Sequence, residues 1–287
     1  MGKIMKESKF NDWEKGIFSV VGIVGGPPST EITYTYRRDN LSFPHNGRYS
    51  DTDITYAWNK HGFRSEEFVD DGRDSILVIG CSSIVGIGAP LEHTIGYRLR
   101  DKRNPALKLY NLAMAPVSSE YISRALYKTI DELKPRAVFI LWPHQTIREI
   151  AVRGRYVTYK AFSLATDNSK DFYKMFAPIE PTLLDWSYIK YQKRKDQIFC
   201  ESLCAERGIP LMQQSEIPDE IFEHYFVNQN EVILEKVLNL DLSAEPFTLM
   251  KHFQFPFARD NCHFSYEWAD YFSDLFLEEY KYKIQEK

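Results

Sequence analysis

Residues 80–88, Gly-Cys-Ser-Ser-Ile-Val-Gly-Ile-Gly, put two adjacent serines and two further glycines directly after an apolar run. Two chemistries compete for such a segment. A glycine-rich loop can cradle phosphate on backbone N–H groups, or the turn can present one serine as a nucleophile. A phosphate loop of the Walker kind needs Gly-x4-Gly-Lys-Ser/Thr, in which the lysine holds phosphate charge. Gly80 and Gly86 are too far apart for that pattern, and no lysine follows. GIVGG at 22–26 fares no better as a dinucleotide fingerprint, because a proline pair follows it rather than a helix. A serine between a buried strand and a helix start sits where free N–H groups and the helix dipole converge, and these can stabilise an oxyanion. Serine is a weak nucleophile and needs a base, itself oriented by a carboxylate. The stretch FARDNCHFSYEW supplies both: Asp260 and His263 stand three apart just before the last helix. Read alone, the same pair also suits an N-cap region with a surface histidine. Cys81 is a competing thiolate nucleophile, although neighbours on a turn point in different directions. His45, His61, His93, His224 and His252 have no ligand-like spacing and read as surface or packing residues.

The elements that must hold these residues are legible from periodicity. SILVIG (75–80) and RAVFILWP (136–143) are continuous apolar runs, the pattern of strands buried on both faces. ALKLYNLAM (106–114) and IPLMQQ (209–214) are further strand candidates. PLEHTIGYRLRD carries helical spacing, and SSEYISRALYKTIDELKP predicts a helix from a serine cap to Pro135. SYIKYQKRKDQIFCESLCAERG (187–208) predicts a long helix ending at Gly208, and SYEWADYFSDLFLEEYKYKIQEK a closing one. Strands alternating with helices predict an α/β fold with a mostly parallel central sheet and helices on both faces. Ligands of such sheets bind at the carboxyl ends of the strands. TEITYTYRR and ITYAWN alternate with period two and predict a hairpin or extended arm outside the main sheet. Residues 147–186, rich in Tyr and Phe, and the acidic residues 214–250 fall outside the rhythm; either could cover the strand ends. No repeat or low-complexity tract is evident.

Composition narrows the function classes. The 287 residues carry 44% hydrophobic and 26% charged side chains, as ordinary globular proteins do. A net charge of -4 argues against tracking nucleic acid, which needs a Lys/Arg excess. The charged N-terminus lacks a signal-peptide core, IFSVVGIVGG is too short to span a bilayer, and four cysteines form no Cys-x-x-Cys set. The expectation is a cytoplasmic protein with no disulfide, metal, organic cofactor, nucleic-acid partner or membrane partner.

Together the motifs resemble the SGNH/GDSL hydrolases. Gly80-Cys81-Ser82, with Gly86 and Gly88 following, is similar to that family's first block, and Asp260-x-x-His263 to its last. YNLAMAPVSSEYISRAL and KPRAVFILWPHQ look like the second and third blocks, in order, and NKHGFRSEEF (59–68) like a lead-in of bacterial members. The resemblance spans residues 55–280 and implies a three-layer α/β/α, flavodoxin-like domain. On that reading residues 1–70 form an N-terminal extension, 71–287 the α/β domain, and 147–186 a cap. It implies Ser82 as nucleophile, His263 as general base then acid, and Asp260 as the group orienting the imidazole. The physics agrees: an Asp hydrogen bond on one ring nitrogen leaves the other to accept the serine proton.

The family's oxyanion hole uses the serine N–H, a second-block glycine N–H and a third-block asparagine amide. Here the glycine position falls on Pro116, which has no N–H, and the asparagine position on Gln145, one methylene longer. A one-residue shift would offer the Ala115 N–H and the His144 ring beside the Ser82 N–H. Losing one such donor costs about 2.7–4 kcal/mol of transition-state stabilisation. Arg148, one turn past His144 if that stretch is helical, is a weak candidate for an anionic substrate group; a surface salt bridge is its competing role. The expected function is a serine esterase cleaving O-acyl or acetyl esters, with acylated carbohydrate as one substrate class suggested by abundant aromatics. Two alternatives keep the fold: a binding or scaffold protein without a working oxyanion hole, and an O-acyltransferase that excludes water.

Overall fold

The computed structural model describes residues 20–21, 31–34, 53–115, 117–143, 147–152, 155–160, 186–216 and 265–285. Its centre is a parallel sheet of four strands: β4 (Ser75–Ile79), β5 (Lys108–Asn111), β6 (Ala137–Trp142) and β9 (Leu211–Ser215). They lie in the order β5-β4-β6-β9. Register is set by Ile76 opposite both Leu109 and Ala137, and by Val138 opposite Leu211. Every residue of β4, β5 and β6 is buried, which is why β4 and β6 read as unbroken apolar runs rather than alternating ones; β5 buries Lys108 and Asn111 as well.

Two helical layers account for that burial. Odd and even positions of a strand face opposite sides, so one sheet feeds two cores. Leu77, Ile79, Tyr110, Val138, Ile140 and Trp142 pack with Tyr121, Leu126, Cys200 and Cys204. These helical residues belong to α3 (Ser119–Leu133) and α4 (Trp186–Glu206). Ile76, Val78, Leu109, Phe139 and Met212 pack on the other side with Ile95, Leu99, Phe272 and Phe276. Those come from α2 (Ile95–Arg103) and α5 (Tyr266–Gln285). Each such fully buried Leu, Ile or Phe stabilises the fold by about 1.5–3 kcal/mol. The α3 boundaries follow local chemistry: the Ser118 hydroxyl accepts from the Tyr121 N–H, and Lys134, just before Pro135, ends the helix in the left-handed region.

Outside this sheet, β2 (Glu31–Tyr34) pairs antiparallel with β3 (Ile54–Ala57). Residues 54–68 are part of both cores, since Ile54, Tyr56 and Trp58 pack on the α2/α5 side and Phe63 and Phe68 on the α3/α4 side. A second small sheet joins β1 (Val20–Val21) to the antiparallel pair β7 (Ile147–Val152) and β8 (Arg155–Lys160). Arg124 of α3 ties β7 to the domain, its Nη2 donating to Glu149 Oε1 at 3.1 Å. Burial raises the Glu149 pKa, and the Arg124 partner opposes that rise.

The chain runs from β4 to β5 on one side, then crosses back to β6 on the other. The reversal makes the carboxyl ends of β4 and β6 the topological switch point, the place where open α/β sheets hold ligands. The serine pair lies directly after β4, at that point.

Candidate active site

Gly80 is where the chain leaves β4, and a Cβ there would stand 2.4 Å from Ile84 Cγ1 and 3.0 Å from the Leu141 carbonyl oxygen. Only glycine lets the next turn fold so closely over the sheet end. That turn is α1 (Ser82–Val85), with Cys81 as its N-cap. The Cys81 carbonyl accepts from Ile84 and Val85, and the Ser82 carbonyl accepts from the N–H of Gly86 at 2.9 Å and of Ile87 at 3.3 Å. Gly86 closes the turn at φ 74°, where a Cβ would also meet Thr94 Cγ2 at 2.2 Å. Ser82 is the first helical residue and is partly exposed, so its N–H lies outside the helical bonding pattern.

Cys81 faces the other way. Its side chain belongs to the α3/α4 core, and its Sγ accepts from the Val117 N–H at 3.5 Å. Burial pushes the thiol up to about 11, the nearby Glu216 carboxylate adds to the rise, and hydrogen bonds from Val117 and Ser82 oppose it. The thiol is therefore protonated at neutral pH, which removes Cys81 as a thiolate nucleophile.

Three side chains that sequence reasoning gave no role hold the serine turn. Arg64, only 1% exposed, donates to the carbonyls of Thr55, Val85, Gly86 and Ala89. The Tyr56 hydroxyl accepts from the Gly88 N–H at 2.8 Å. On the opposite side, the Ser83 hydroxyl donates to the Glu216 carboxylate. Glu216 reaches it because β9 runs level with β6: Trp142 is opposite Ser215, and the Glu216 N–H bonds the Trp142 carbonyl at 3.0 Å. The rule that chemistry gathers at strand carboxyl ends was the available signal for Glu216.

A cleft opens beside the turn, lined by Ser83, Gly86, Ile87 and His93 on one wall and by Ser265, Trp268 and Ala269 on the other. The His93 ring lies 5.6 Å from that of Tyr266, and its pKa is lowered by burial first and by Arg98 second. His93, which reads in the sequence as a surface or packing histidine, is thus a wall of this cleft.

Of the candidate residues, Ser82 stands at the carboxyl end of β4. Ala115 is buried in the segment that follows β5 past the turn, between Met114, whose N–H bonds the Gly80 carbonyl, and Val117, whose N–H bonds Cys81. Arg148 belongs to β7, opposite Tyr159, so the helical placement one turn past His144 is corrected to a strand, which the antiparallel pairing with β8 enforces. Asp260, His263, Pro116, His144 and Gln145 lie outside the described residues, as does Cys262. Ser265, two residues after His263, lines the same cleft as Ser83.

Among the described residues, no cluster of three or more His, Cys, Asp or Glu side chains could hold a metal ion. None of their helices is long and apolar enough to cross a membrane. No known family model matches the chain, and no curated protein matches it.

Proposed function

We propose that this protein is a serine-dependent ester hydrolase of the SGNH/GDSL type, acting through an acyl-Ser82 intermediate. The observation that supports the reading best is the cleft beside the serine turn: Ser83, the neighbour of Ser82, lines it together with Ser265, which follows Asp260-x-x-His263 by two residues. The N–H of Ser82, at the first position of its turn, supports the same reading as an oxyanion donor, with the N–H of Ala115, four residues past β5, as the proposed second. In this mechanism His263 takes the Ser82 proton as Oγ attacks the acyl carbon. It then returns that proton to the departing alkoxide. Water, activated by the same imidazole, attacks the acyl-serine and releases the acid. The proposed substrate is an O-acyl ester, acetylated carbohydrate among them.

The test is turnover of p-nitrophenyl acetate by the purified protein beside Ser82→Ala and His263→Ala, with fluorophosphonate labelling of Ser82 as a second readout. Each substitution is expected to lower kcat/KM by at least about 10³-fold with the melting temperature unchanged. Equal background rates for all three proteins, and no label on Ser82, would sink the reading and favour a binding protein on the same fold.

A further inference from the structure

We infer that Arg64 and Tyr56 are positioning residues for Ser82, fixing the serine turn from its C-terminal side. The catalytic half of this inference rests on the ester-hydrolase reading; the mechanical half rests on contacts alone.

α1 has four residues, far fewer than the ~12–15 an isolated helix needs to be even marginally stable in water. Its geometry must come from outside. Arg64 Nη1 donates to the Val85 carbonyl at 3.1 Å and to the Gly86 carbonyl at 2.7 Å. Its Nη2 donates to Ala89 at 3.0 Å and to Thr55 at 3.2 Å, and Thr55 lies within β3. One planar fork thereby fastens the end of the serine turn to a strand of another sheet, a geometry that the rigid donor array of arginine suits. The guanidinium lies 4.3 Å from the centre of the Tyr56 ring, and the hydroxyl of that ring holds Gly88.

The hold is transmitted to the serine by hydrogen bonds. Gly86 and Ile87, the residues fixed by this clamp, both donate their N–H groups to the Ser82 carbonyl. A shift at residues 86–87 therefore moves the Ser82 backbone directly. Misplacing a reacting group by about 1 Å can cost on the order of 10²-fold in rate. Neither side chain needs to touch the substrate to have this effect.

The full-length protein tests this with Tyr56→Phe, which keeps the ring and removes one tether, and Arg64→Lys, which keeps the charge and removes the fork. Two readouts are measured: amide hydrogen exchange of peptides covering 80–89 against peptides covering β6, and the rate of fluorophosphonate labelling at Ser82. In Tyr56→Phe, exchange is expected to quicken in 80–89 alone, and labelling to slow by about 10-fold, with the melting temperature within a few degrees of wild type. Arg64→Lys is expected to show both effects more strongly. If it fails to fold, Tyr56→Phe decides. Unchanged exchange in 80–89, or a rise shared equally by β6, overturns the clamp. Looser exchange with a wild-type labelling rate overturns the positioning role and leaves a purely structural one. A wild-type protein that does not label overturns the ester-hydrolase reading instead, and the exchange data still decide the clamp.

Discussion

Two cations are buried at opposite ends of the central sheet, Arg64 at 1% exposure and Lys108 at 2%. Lys108 opens β5, where the strands begin, and Arg64 sits beyond the end of β4, under the serine turn. Their partners differ in kind. Lys108 donates to the Val69 carbonyl at 2.6 Å and to Asp71 at 3.0 Å, a carboxylate that faces solvent and also binds Arg73. The hydrogen-bond acceptors of Arg64 are backbone carbonyls, those of Val85, Gly86 and Ala89 buried with it and that of Thr55 partly so. A buried cation whose partners can fall back on water or on each other is replaceable; one that is the partner of buried carbonyls is not.

The largest effect follows directly. Arg64→Met fills similar volume but takes the guanidinium donors from the buried carbonyls of Val85 and Ala89, while the Gly86 carbonyl keeps the Ala89 N–H at 3.2 Å. A loss of about 3–5 kcal/mol in urea unfolding is expected, since each buried carbonyl left without its donor costs about 1–3 kcal/mol. A loss below about 1 kcal/mol would break the contrast, because it would mean that water replaces the guanidinium. Gly86→Ala probes the same end by crowding. Alanine at φ 74° is strained, and its methyl would stand 2.2 Å from Thr94 Cγ2. The two costs together predict a loss of about 2–4 kcal/mol by thermal or urea unfolding. Gly72, at φ 81° with open space around it, is the control: Gly72→Ala retains the strain without the clash, so its loss should be the smaller by the overpacking share.

The contrast also explains what the sequence could and could not reveal. β4 and β6 were legible because burial on both faces leaves an unbroken apolar run, and α3 because Ser118 and Pro135 mark its ends. Cys200 and Cys204, one turn apart in α4, are both buried. The β7–β8 pair was missed: IREIAV and RYVTYK mix charged, aromatic and β-branched residues, and their pairing, with only residues 153–154 between Val152 and Arg155, makes the strands. Periodicity missed Arg64 and Glu216 for a different reason. Each is a charged residue in a polar segment, which normally means solvent, and only contacts with chain 9 to 133 residues away give it a role. Periodicity reports which face of an element is buried. It carries no information about a side chain that crosses between elements.

A middle case sharpens the comparison with a titration. His61, in the same segment as Arg64, stacks on Phe68 at 5.4 Å, and burial first, then Lys60, lowers its pKa to about 4. The folded state thus favours the neutral ring. Its contribution to stability is complete above pH 6.5, shrinks as the unfolded chain binds the proton below that, and is gone below about pH 4. Discounted for partial solvent access, the change is about 1–2 kcal/mol across that window. Urea midpoints measured from pH 7 to pH 4 should fall more steeply for wild type than for His61→Phe. Parallel curves would mean that the ring escapes to solvent when charged.

The smallest effect is expected at the other cation. Lys108→Met removes two hydrogen bonds, yet leaves no buried group without a partner. The Val69 carbonyl keeps the Tyr110 hydroxyl at 3.0 Å, and Asp71 keeps Arg73 through Nε at 3.0 Å and Nη2 at 2.8 Å. Asp71 is also open to water, so any charge imbalance is screened. Against the lost bonds stands the relieved cost of burying an ammonium, and methionine packs well on the Tyr110 ring, which Lys108 Nζ already faces at 5.5 Å. The two terms are similar in size, so the variant should unfold within about 1 kcal/mol of wild type, in either direction. A loss beyond about 3 kcal/mol would show that Lys108 is as indispensable as Arg64. The difference between the two ends of the sheet would then owe nothing to what each cation satisfies, and the special hold on the serine turn would have to come from the Ser83–Glu216 side instead.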